Sequence, residues 1–476
     1  MTKTFKTPED YLESIRDGRV VYADGEKITD IAEHPITRQG ALSFSRQYGR
    51  FHDPALKDTF TAPDPETGEL VDLFLMPPQT ADDLLRRAKA LAVSEEMGYG
   101  SAPALSDAML SLYMVSDELA EANPMYKANI DSLYRRFRDE DLIMAVAMSD
   151  TKGDRSLHPG QQADPDLYVR KVAERDDGIV IRGMKAHITG AAYMHELVVM
   201  PTKRMKPDES EYSVTCIVSP GTEGVKLLMK PRRMVGSSFE YPVSHDAPGS
   251  ECFVWFDDVF VPWERVIQNG EDWLSQPIAR GLGLLLRYSA LCTMKQQAEV
   301  LAGAAFLLAK YNGVERAPHI RDHLFEFAML ASSMDAFVTS AAMTCTTSDG
   351  MAIPNGVITN VAKYMFTDKL SDMYKHLIDI GGAIIATQPW ETDYNHPELH
   401  SAFRKYLSGG DRATADQRLR LYNLVRDMAA DEYASHFLVS EYHGAGSPQA
   451  QKMMTIHGYD FDAAAEKVRR LARIEE

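Results

Sequence analysis

Apolar residues recur three to four positions apart in two stretches of the chain, which is the spacing of amphipathic helices. In the first stretch the pattern predicts helices over 83–97, 104–123 and 126–141. In the second it predicts a long, strongly apolar helix and four further helices, over 279–311, 318–345, 354–379, 413–439 and 447–473. Both ends of the chain are therefore predicted to be helical, and the second end has enough apolar surface to form a bundle.

The middle of the chain has a different pattern. Short runs rich in Val, Ile, Phe and Tyr, separated by turn signals, predict strands over 167–173, 178–184, 195–201, 212–218, 224–229 and 252–262. Six or more short strands are typical of a small antiparallel barrel or sandwich. The sequence thus predicts an α+β fold with an N-terminal helical domain, a small antiparallel β-barrel and a C-terminal helical bundle, over 1–141, 142–272 and 273–476.

Composition narrows the class of partner. The 476 residues include 51 Lys and Arg against 69 Asp and Glu, a formal net charge of −18. A surface this acidic repels phosphate backbones, so nucleic acid is not an expected partner. No apolar run approaches the roughly 18 residues of a membrane-spanning helix, and the N-terminus has no run that resembles a signal peptide. We therefore expect a cytoplasmic protein that acts on a small molecule.

Two segments of the middle region carry a resemblance to known proteins. DDGIVIRGMKAHITGA, residues 176–191, indicates a turn followed by a strand, and FDDVFVPWERV, residues 256–266, indicates a strand that leaves the β region. With the order of helices, strands and helices, they resemble the acyl-CoA dehydrogenase-like flavoproteins. The resemblance implies that the Thr189 hydroxyl and backbone amides near Gly190 hydrogen-bond flavin N5 and O4. On the residues alone, an ordinary hairpin explains the first segment as well.

Two further segments narrow the resemblance. They are MSDTKGDRS, residues 148–156, and EYHGAGSPQAQ, residues 441–451. With them, nearly the whole chain resembles the family of 4-hydroxyphenylacetate 3-monooxygenase and 4-hydroxybutyryl-CoA dehydratase, most closely on the dehydratase side. The resemblance implies FAD, taken up as FADH2, as the cofactor. The residues it implies for the flavin are Met148, Ser149, Asp150, Lys152 and Arg155, then Thr189 and Gly190, and from a neighbouring subunit Gly381 and Gly382.

Residue chemistry supports parts of this set. Arg155 offers a fixed fork of donors for a phosphate or carboxylate, and Gly153 allows the backbone to approach a ligand. The segment 376–389 predicts a helix that ends just before Gly381. Glycines there permit a left-handed backbone and close approach of a phosphate, although a simple helix cap explains them too.

The chain departs from both branches of the family at the positions that carry chemistry. The dehydratase holds an iron–sulfur cluster on three Cys and one His, whereas here only Cys292 matches, Leu285 stands at the His position and no Cys precedes Cys216. One thiolate cannot hold such a cluster, so neither a cluster nor another metal is expected. The monooxygenase branch surrounds its phenol with an Arg, a Tyr and a His, and the matching positions are Ser101, Leu105 and Val146.

Three residues remain as catalytic candidates. Glu251 matches an active-site Glu of the dehydratase, and a carboxylate near a flavin is able to act as a base. His187 is a possible donor to substrate or flavin, and Tyr442 lies in the segment that carries a dehydratase Glu, whose position is Ser440 here. The alternatives are a charged loop residue for Glu251 and a structural strand-end histidine for His187.

Three functions stay open at this point. The first is a two-component monooxygenase that receives reduced FAD from a separate reductase and hydroxylates a phenolic or other electron-rich aromatic substrate. No GxGxxG follows a strand, so no NADH site of its own is visible. The second is a cluster-free CoA-ester dehydratase or isomerase, and the third is a non-catalytic flavin-binding homologue. The resemblance also implies a homotetramer, a dimer of dimers with the helical bundles at its centre.

Overall fold

The first part of the chain is mainly helical, as predicted. The structure is a computed structural model that describes residues 4–64, 67–97, 102–231, 236–245, 250–348 and 350–474. The first elements are α1 (Pro8–Ser14), β1 (Val20–Ala23), β2 (Glu26–Ile28), α2 (Arg38–Arg46), α3 (Lys57–Phe60), β3 (Thr61–Pro63), β4 (Leu70–Asp72), α4 (Ala81–Glu96), α5 (Asp107–Met114), α6 (Ser116–Ala120) and α7 (Pro124–Glu140). α7 starts where the Asn123 side chain accepts from the Met125 N–H and Pro124 takes the first position. The single helix predicted over 104–123 is divided between α5 and α6, because the backbone leaves the helical region at Val115.

The strands of the middle segment form two sheets. They are β5 (Met144–Ala147), β6 (Arg170–Arg175), β7 (Gly178–Thr189), β8 (Glu196–Val199), β9 (Val214–Val218), β10 (Val225–Pro231), β11 (Ser250–Pro262) and β12 (Val266–Asn269). The larger sheet has the order β2-β1-β10-β11-β7-β6, and the smaller one has the order β12-β9-β8-β5.

This arrangement corrects two sequence expectations. Within the described residues the sheets do not close into a barrel, and they are not purely antiparallel, since β1 pairs in parallel with β10 and β5 with β8. β1 and β2 come from the segment predicted to be helical, yet they complete the larger sheet. Strands of four and three residues are too short to show an alternating pattern.

The last part of the chain is a bundle of helices. Its elements are α8 (Ser275–Asn312), α9 (Pro318–Met343), β13 (Thr346–Ser348), β14 (Met351–Ile353), α10 (Gly356–Gly381), α11 (Ile384–Thr387), α12 (Glu391–Tyr394), α13 (His400–Tyr406), α14 (Ala415–Ala429), α15 (Glu432–His443), α16 (Pro448–Gly458) and α17 (Phe461–Ala472). α8 contacts α9 and α10 of the bundle and also α4 and α5. A helix that is apolar around most of its circumference is buried in this way.

One apolar core joins the three parts of the chain. Leu91 of α4, Val254 of β11 and Leu370 of α10 belong to the same buried cluster. The α+β fold is therefore confirmed, with helices, two sheets and a helical bundle in that order, while the domain boundaries at residues 141 and 272 stay a prediction. In the part of the chain that the structure describes, no helix combines the length and apolarity needed to cross a membrane.

Candidate functional site

A bulge near the end of β7 decides which of its side chains face outward. Ala186 and His187 of β7 lie opposite the single residue Phe253 of β11. His187 has a positive φ of 62°. It is the extra residue of the bulge and adopts a backbone conformation that is uncommon for a residue other than glycine. Beyond the bulge, His187 and Thr189 are exposed, whereas Lys185 before it is buried. The bulge therefore brings two predicted site residues to the same outer surface.

On the inner side of β7, the Lys185 ammonium group contacts three oxygen atoms of the protein. Its Nζ lies 2.8 Å from Oδ1 of Asp150 and donates to the carbonyl oxygens of Met148 at 2.9 Å and Met200 at 2.8 Å. The other Asp150 oxygen accepts from the Thr202 hydroxyl at 2.5 Å. Burial lowers the pKa of Lys185, while the Asp150 charge acts in the opposite direction. This buried pair anchors the segment that follows β5 against β7.

The Lys185–Asp150 pair also holds the predicted flavin residues Met148 and Ser149 next to β7. The carbonyl oxygen of Ser149 accepts from the Ala186 N–H at 2.7 Å, so Met148 and Ser149 run beside the strand that ends at Thr189. The Asp150 side chain is only 3% exposed and is occupied inside the protein. Its carboxylate therefore stabilises the fold through Lys185 and Thr202.

Thr189 and Glu251 lie side by side on the outer surface. They are direct cross-strand neighbours of β7 and β11, and the Thr189 hydroxyl is 2.9 and 3.0 Å from the two Glu251 carboxylate oxygens. His436 of α15 reaches the same carboxylate, with Nε2 3.5 Å from Oε1. We call Thr189, Glu251 and His436 the outer cluster. A carboxylate only accepts hydrogen bonds, so the Thr189 hydroxyl donates to it.

The sequence named Thr189 and Glu251 but not His436. This histidine comes from a different part of the chain, and a lone histidine within a helical pattern carries no signal of its own. Only the tertiary contact between α15 and β11 places it at the site. His187 lies on the same outer surface, with its ring 6.3 Å from the Phe253 ring.

The loop after Asp150 carries two predicted flavin residues, Lys152 and Arg155, whose role stays a prediction. Lys152 and Gly153 both have positive φ, 73° and 46°. A Cβ at Gly153 would lie 2.5 Å from Oε1 of Gln162 and 2.6 Å from a methyl group of Leu167. The absence of a Cβ at Gly153 therefore lets the side chains of Gln162 and Leu167 approach the backbone closely. Arg155 is exposed and makes no hydrogen bond or ion pair with a described residue.

Gly381 and Gly382 lie at the C-terminal end of α10. A Cβ at Gly381 would lie 2.4 Å from a methyl group of Ile385, so that side chain takes the close approach predicted for a phosphate. Gly382 has a φ of 74° and open space around it.

Tyr442 is not grouped with the other two catalytic candidates. It lies on α15 six residues after His436, and the helical repeat turns the two side chains to different faces. Its exposed ring lies 5.2 Å from the His443 ring. The structure therefore gathers Glu251 and His187 at one end of β7 and β11 and leaves Tyr442 outside this surface.

The positions that correspond to chemical groups of the two branches are apolar or buried here. Cys292 is buried in α8, and burial raises the pKa of its thiol to about 12. Leu285 is fully buried, while Leu105 and Val146 are half-buried against the core. Ser101 lies outside the described residues. Across the described ranges, no group of three His, Cys, Asp or Glu side chains is arranged to hold a metal ion.

Two family models match the chain over nearly its full length. The first, described as 4-hydroxyphenylacetate 3-hydroxylase N terminal, covers residues 7–268. The second, described as 4-hydroxyphenylacetate 3-hydroxylase C terminal, covers residues 279–473.

Similar proteins come from both branches. A 4-hydroxybutyryl-CoA dehydratase/vinylacetyl-CoA-Δ-isomerase of Clostridium aminobutyricum is 28% identical, covering 98% of this chain and 99% of the relative. The oxygenase component of 4-hydroxyphenylacetate 3-monooxygenase of a Geobacillus strain is 24% identical, covering 98% and 96%. An FADH(2)-dependent monooxygenase of Burkholderia cepacia is 25% identical, covering 92% and 87%.

Solved structures share the fold. An oxygen-tolerant archaeal 4-hydroxybutyryl-CoA dehydratase from N. maritimus superimposes with a TM-score of 0.90 at 27% identity, covering 99% of this chain and 96% of that chain. The oxygenase component of 4-hydroxyphenylacetate 3-monooxygenase complexed with FAD has a TM-score of 0.90 at 24% identity, covering 98% of each chain. An acyl-CoA dehydrogenase from Geobacillus kaustophilus has a TM-score of 0.52 at 14% identity, covering 95% and 93%.

Proposed function

Because this chain belongs to the 4-hydroxyphenylacetate 3-hydroxylase family, we propose that it is the oxygenase component of a two-component flavin monooxygenase. Reduced FAD from a separate reductase supplies the oxygen-activating chemistry. The substrate is a phenolic or other electron-rich aromatic compound. The observation that carries the proposal is the outer cluster, in which the exposed Thr189 hydroxyl is hydrogen-bonded to the half-buried Glu251 carboxylate at the end of β7.

The outer cluster fits the polar edge of a flavin ring. The Thr189 oxygen keeps lone pairs for a ligand after its hydrogen is used by Glu251. Phe253, on the same surface, is 43% exposed and offers an apolar face against which a flat ring packs. In this proposal Thr189, Gly190 and the Met148–Ser149 backbone hold the flavin, and Glu251 accepts a proton near the substrate.

The missing ligands support an oxygenase over a cluster enzyme. Only Cys292 stands at a cluster position, and one thiolate cannot hold such a cluster. The matching His position, Leu285, is apolar and fully buried. A flavin oxygenase needs none of these ligands.

A second candidate is a cluster-free CoA-ester dehydratase or isomerase. It is favoured by the 28% identity to the Clostridium dehydratase over nearly the whole chain. It is also favoured by Glu251, which keeps a carboxylate at the position of a dehydratase Glu.

Oxygen consumption with supplied reduced FAD separates the two candidates. We expect oxygen uptake to yield a hydroxylated product with at least one member of a phenol panel, and CoA thioesters to stay unchanged under anaerobic conditions. Glu251→Gln should uncouple oxygen uptake from hydroxylation. The matched control Glu174→Gln, an exposed carboxylate on β6 paired with Lys171, should not. Thioester turnover without oxygen would replace the proposal with the second candidate.

A homotetramer with shared sites belongs to the same proposal. Large apolar side chains are exposed on α8, α9 and α17, including Phe306, Phe325 and Leu471, and such surfaces are typical of subunit contacts. Gly382, with open space and a left-handed backbone, would then meet FAD held by a neighbouring subunit. Light scattering should show a tetramer. A monodisperse monomer that binds FAD at low micromolar concentration would contradict both the assembly and the shared site.

A further inference from the structure

An imidazole and a carboxylate from distant parts of the chain meet in the outer cluster. Nε2 of His436 lies 3.5 Å from Oε1 of Glu251, and the two side chains are 25% and 26% exposed. A carboxylate carries lone pairs on both oxygens, so Glu251 is able to contact the Thr189 hydroxyl, His436 and a ligand at the same time. The sheet and α15 therefore hold a proton-accepting pair where a substrate is able to reach it.

The positions at which the monooxygenase branch surrounds its phenol offer no such pair in this chain. Leu105 and Val146 stand at the Tyr and His positions, and both are hydrocarbon side chains packed against the core. A hydrocarbon side chain cannot accept the proton that a phenol loses when its ring is made more nucleophilic. In this chain the proton acceptor must therefore come from another element.

Two further charged side chains flank the pair among the described residues. Lys230 of β10 is the exposed cross-strand neighbour of Glu251. Glu432 is exposed one helical turn before His436 on the same face of α15. Lys230 stabilises a negative charge on Glu251, and Glu432 stabilises a positive charge on His436. The surroundings thus suit a carboxylate next to an imidazole that becomes protonated.

We propose that His436 takes up, through Glu251, the proton that a phenolic substrate loses, and that it replaces the histidine missing at Val146. The inference rests on the proposed function, because it takes a phenol as the substrate. Imidazole suits this role, since it gains and loses a proton near neutral pH. His436 touches no substrate atom and acts through Glu251, so it is a positioning residue that also holds the proton.

The proton transfer balances within the outer cluster. The phenol O–H bond breaks, its electron pair stays on the phenolate oxygen, and the proton passes to the Glu251 carboxylate. From there it moves to Nε2 of His436, whose neutral form carries its hydrogen on Nδ1. Glu251 is then a carboxylate again, and the positively charged imidazole returns the proton to solvent after turnover.

His436→Asn tests the inference, because it keeps a polar side chain that does not titrate. With supplied FADH2, kcat for hydroxylation should fall at least about tenfold, while oxygen uptake continues and yields hydrogen peroxide. KM for the phenol should change less than about twofold, as expected when binding is kept. The wild-type pH profile of hydroxylation should have a limb between about pH 5 and 8 that the variant lacks.

A matched control is available in the bundle. His323 of α9 also contacts a carboxylate, with Nε2 2.8 Å from Oδ2 of Asp379, and its side chain is 20% exposed. His323→Asn should keep both kcat and the pH profile. Thermal unfolding checks that all variants are folded, which we expect because these side chains are partly exposed.

Chemical rescue separates a proton acceptor from a structural contact. In His436→Ala, added imidazole should restore hydroxylation at least about fivefold over the unrescued variant. If kcat falls but the pH limb remains and imidazole restores nothing, His436 has a structural role and the inference is wrong. If the wild type hydroxylates a phenol and His436→Asn keeps its kcat and pH profile, the inference is wrong while the proposed function stands. If the wild type hydroxylates no phenol, the proposed function fails and the inference fails with it.

Discussion

Lys185 and Thr189 lie four residues apart on β7 and belong to two polar groups with opposite surroundings. Lys185 and Asp150 are 1% and 3% exposed, and the lysine's three contacts are all to oxygens of the protein. Thr189 is exposed, and its oxygen keeps lone pairs that no described residue uses. The buried group has all its hydrogen bonds made within the protein and stabilises the fold. The exposed group keeps an unused hydrogen-bond acceptor, and we expect a ligand to bind there.

The largest effect is expected on the buried side of this comparison. Lys185→Met leaves the Asp150 charge buried without its partner and should lower the free energy of unfolding by about 3–5 kcal/mol. Lys226→Met is the matched control, because Lys226 pairs with Asp257 at 2.7 Å on the exposed surface of the same sheet. That change should cost less than about 1 kcal/mol. Similar costs for both variants in urea unfolding would contradict the structural role of the buried pair.

Glu95 lies between these two cases, since it is a half-buried carboxyl that makes no ion pair with a described residue. Burial, and to a smaller extent the Glu441 charge, raises its pKa from 4.5 to about 7. The folded protein therefore holds this proton more tightly than the unfolded chain does. Stability should be highest at low pH for this group and should decline by about 2 kcal/mol as pH rises from 5 to 8.

Unfolding of Glu95→Gln across the same pH range isolates this contribution. The variant should lack the decline while other pH-dependent groups act equally in both proteins. Parallel stability curves for the wild type and the variant would show that Glu95 titrates normally.

A smaller effect is expected on the exposed side. Thr189→Val should weaken binding of reduced FAD by about 1 kcal/mol, the usual net value of one hydrogen bond. Thermal stability should change little, because the side chain is exposed. Calorimetry under anaerobic conditions measures the affinity. An unchanged affinity would place the flavin elsewhere.

The smallest effect on FAD affinity is expected at Arg155, which makes no hydrogen bond or ion pair with a described residue. Arg155→Ala and Arg155→Lys should each weaken reduced FAD by about 0.5 kcal/mol, because a lysine does not reproduce the guanidinium fork. Stability should stay the same in both. Wild-type affinity in both variants would make Arg155 an ordinary surface residue.

The sequence predicted elements better than it predicted contacts. The long helices α4, α7, α8, α9 and α10 follow clear apolar patterns, and their predicted positions are confirmed to within a few residues. The pairing strands β1 and β5 were missed, since four residues give too short a pattern. The alternating pattern alone predicted this strand only over 178–184, because a bulge breaks the alternation of buried and exposed positions, whereas the segment that ends in His187-Ile188-Thr189-Gly190 indicated its end correctly.

At the candidate site, the sequence predicted which residues take part, whereas their contacts with one another became visible only in the structure. Thr189 and Glu251 were both named, but nothing in the spacing indicated that they share a hydrogen bond. His436 reaches Glu251 only through the packing of α15. Asp150 was named as a flavin residue because its motif resembles the family, although its carboxylate is used by Lys185.

A crystal structure prepared anaerobically with reduced FAD shows whether the flavin binds at the outer cluster. We expect the ring to lie against Phe253 with N5 within about 3.2 Å of the Thr189 hydroxyl oxygen, while Glu251 still accepts from that hydroxyl. A flavin bound on another surface of the protein, or one whose N5 faces a different group, would contradict it.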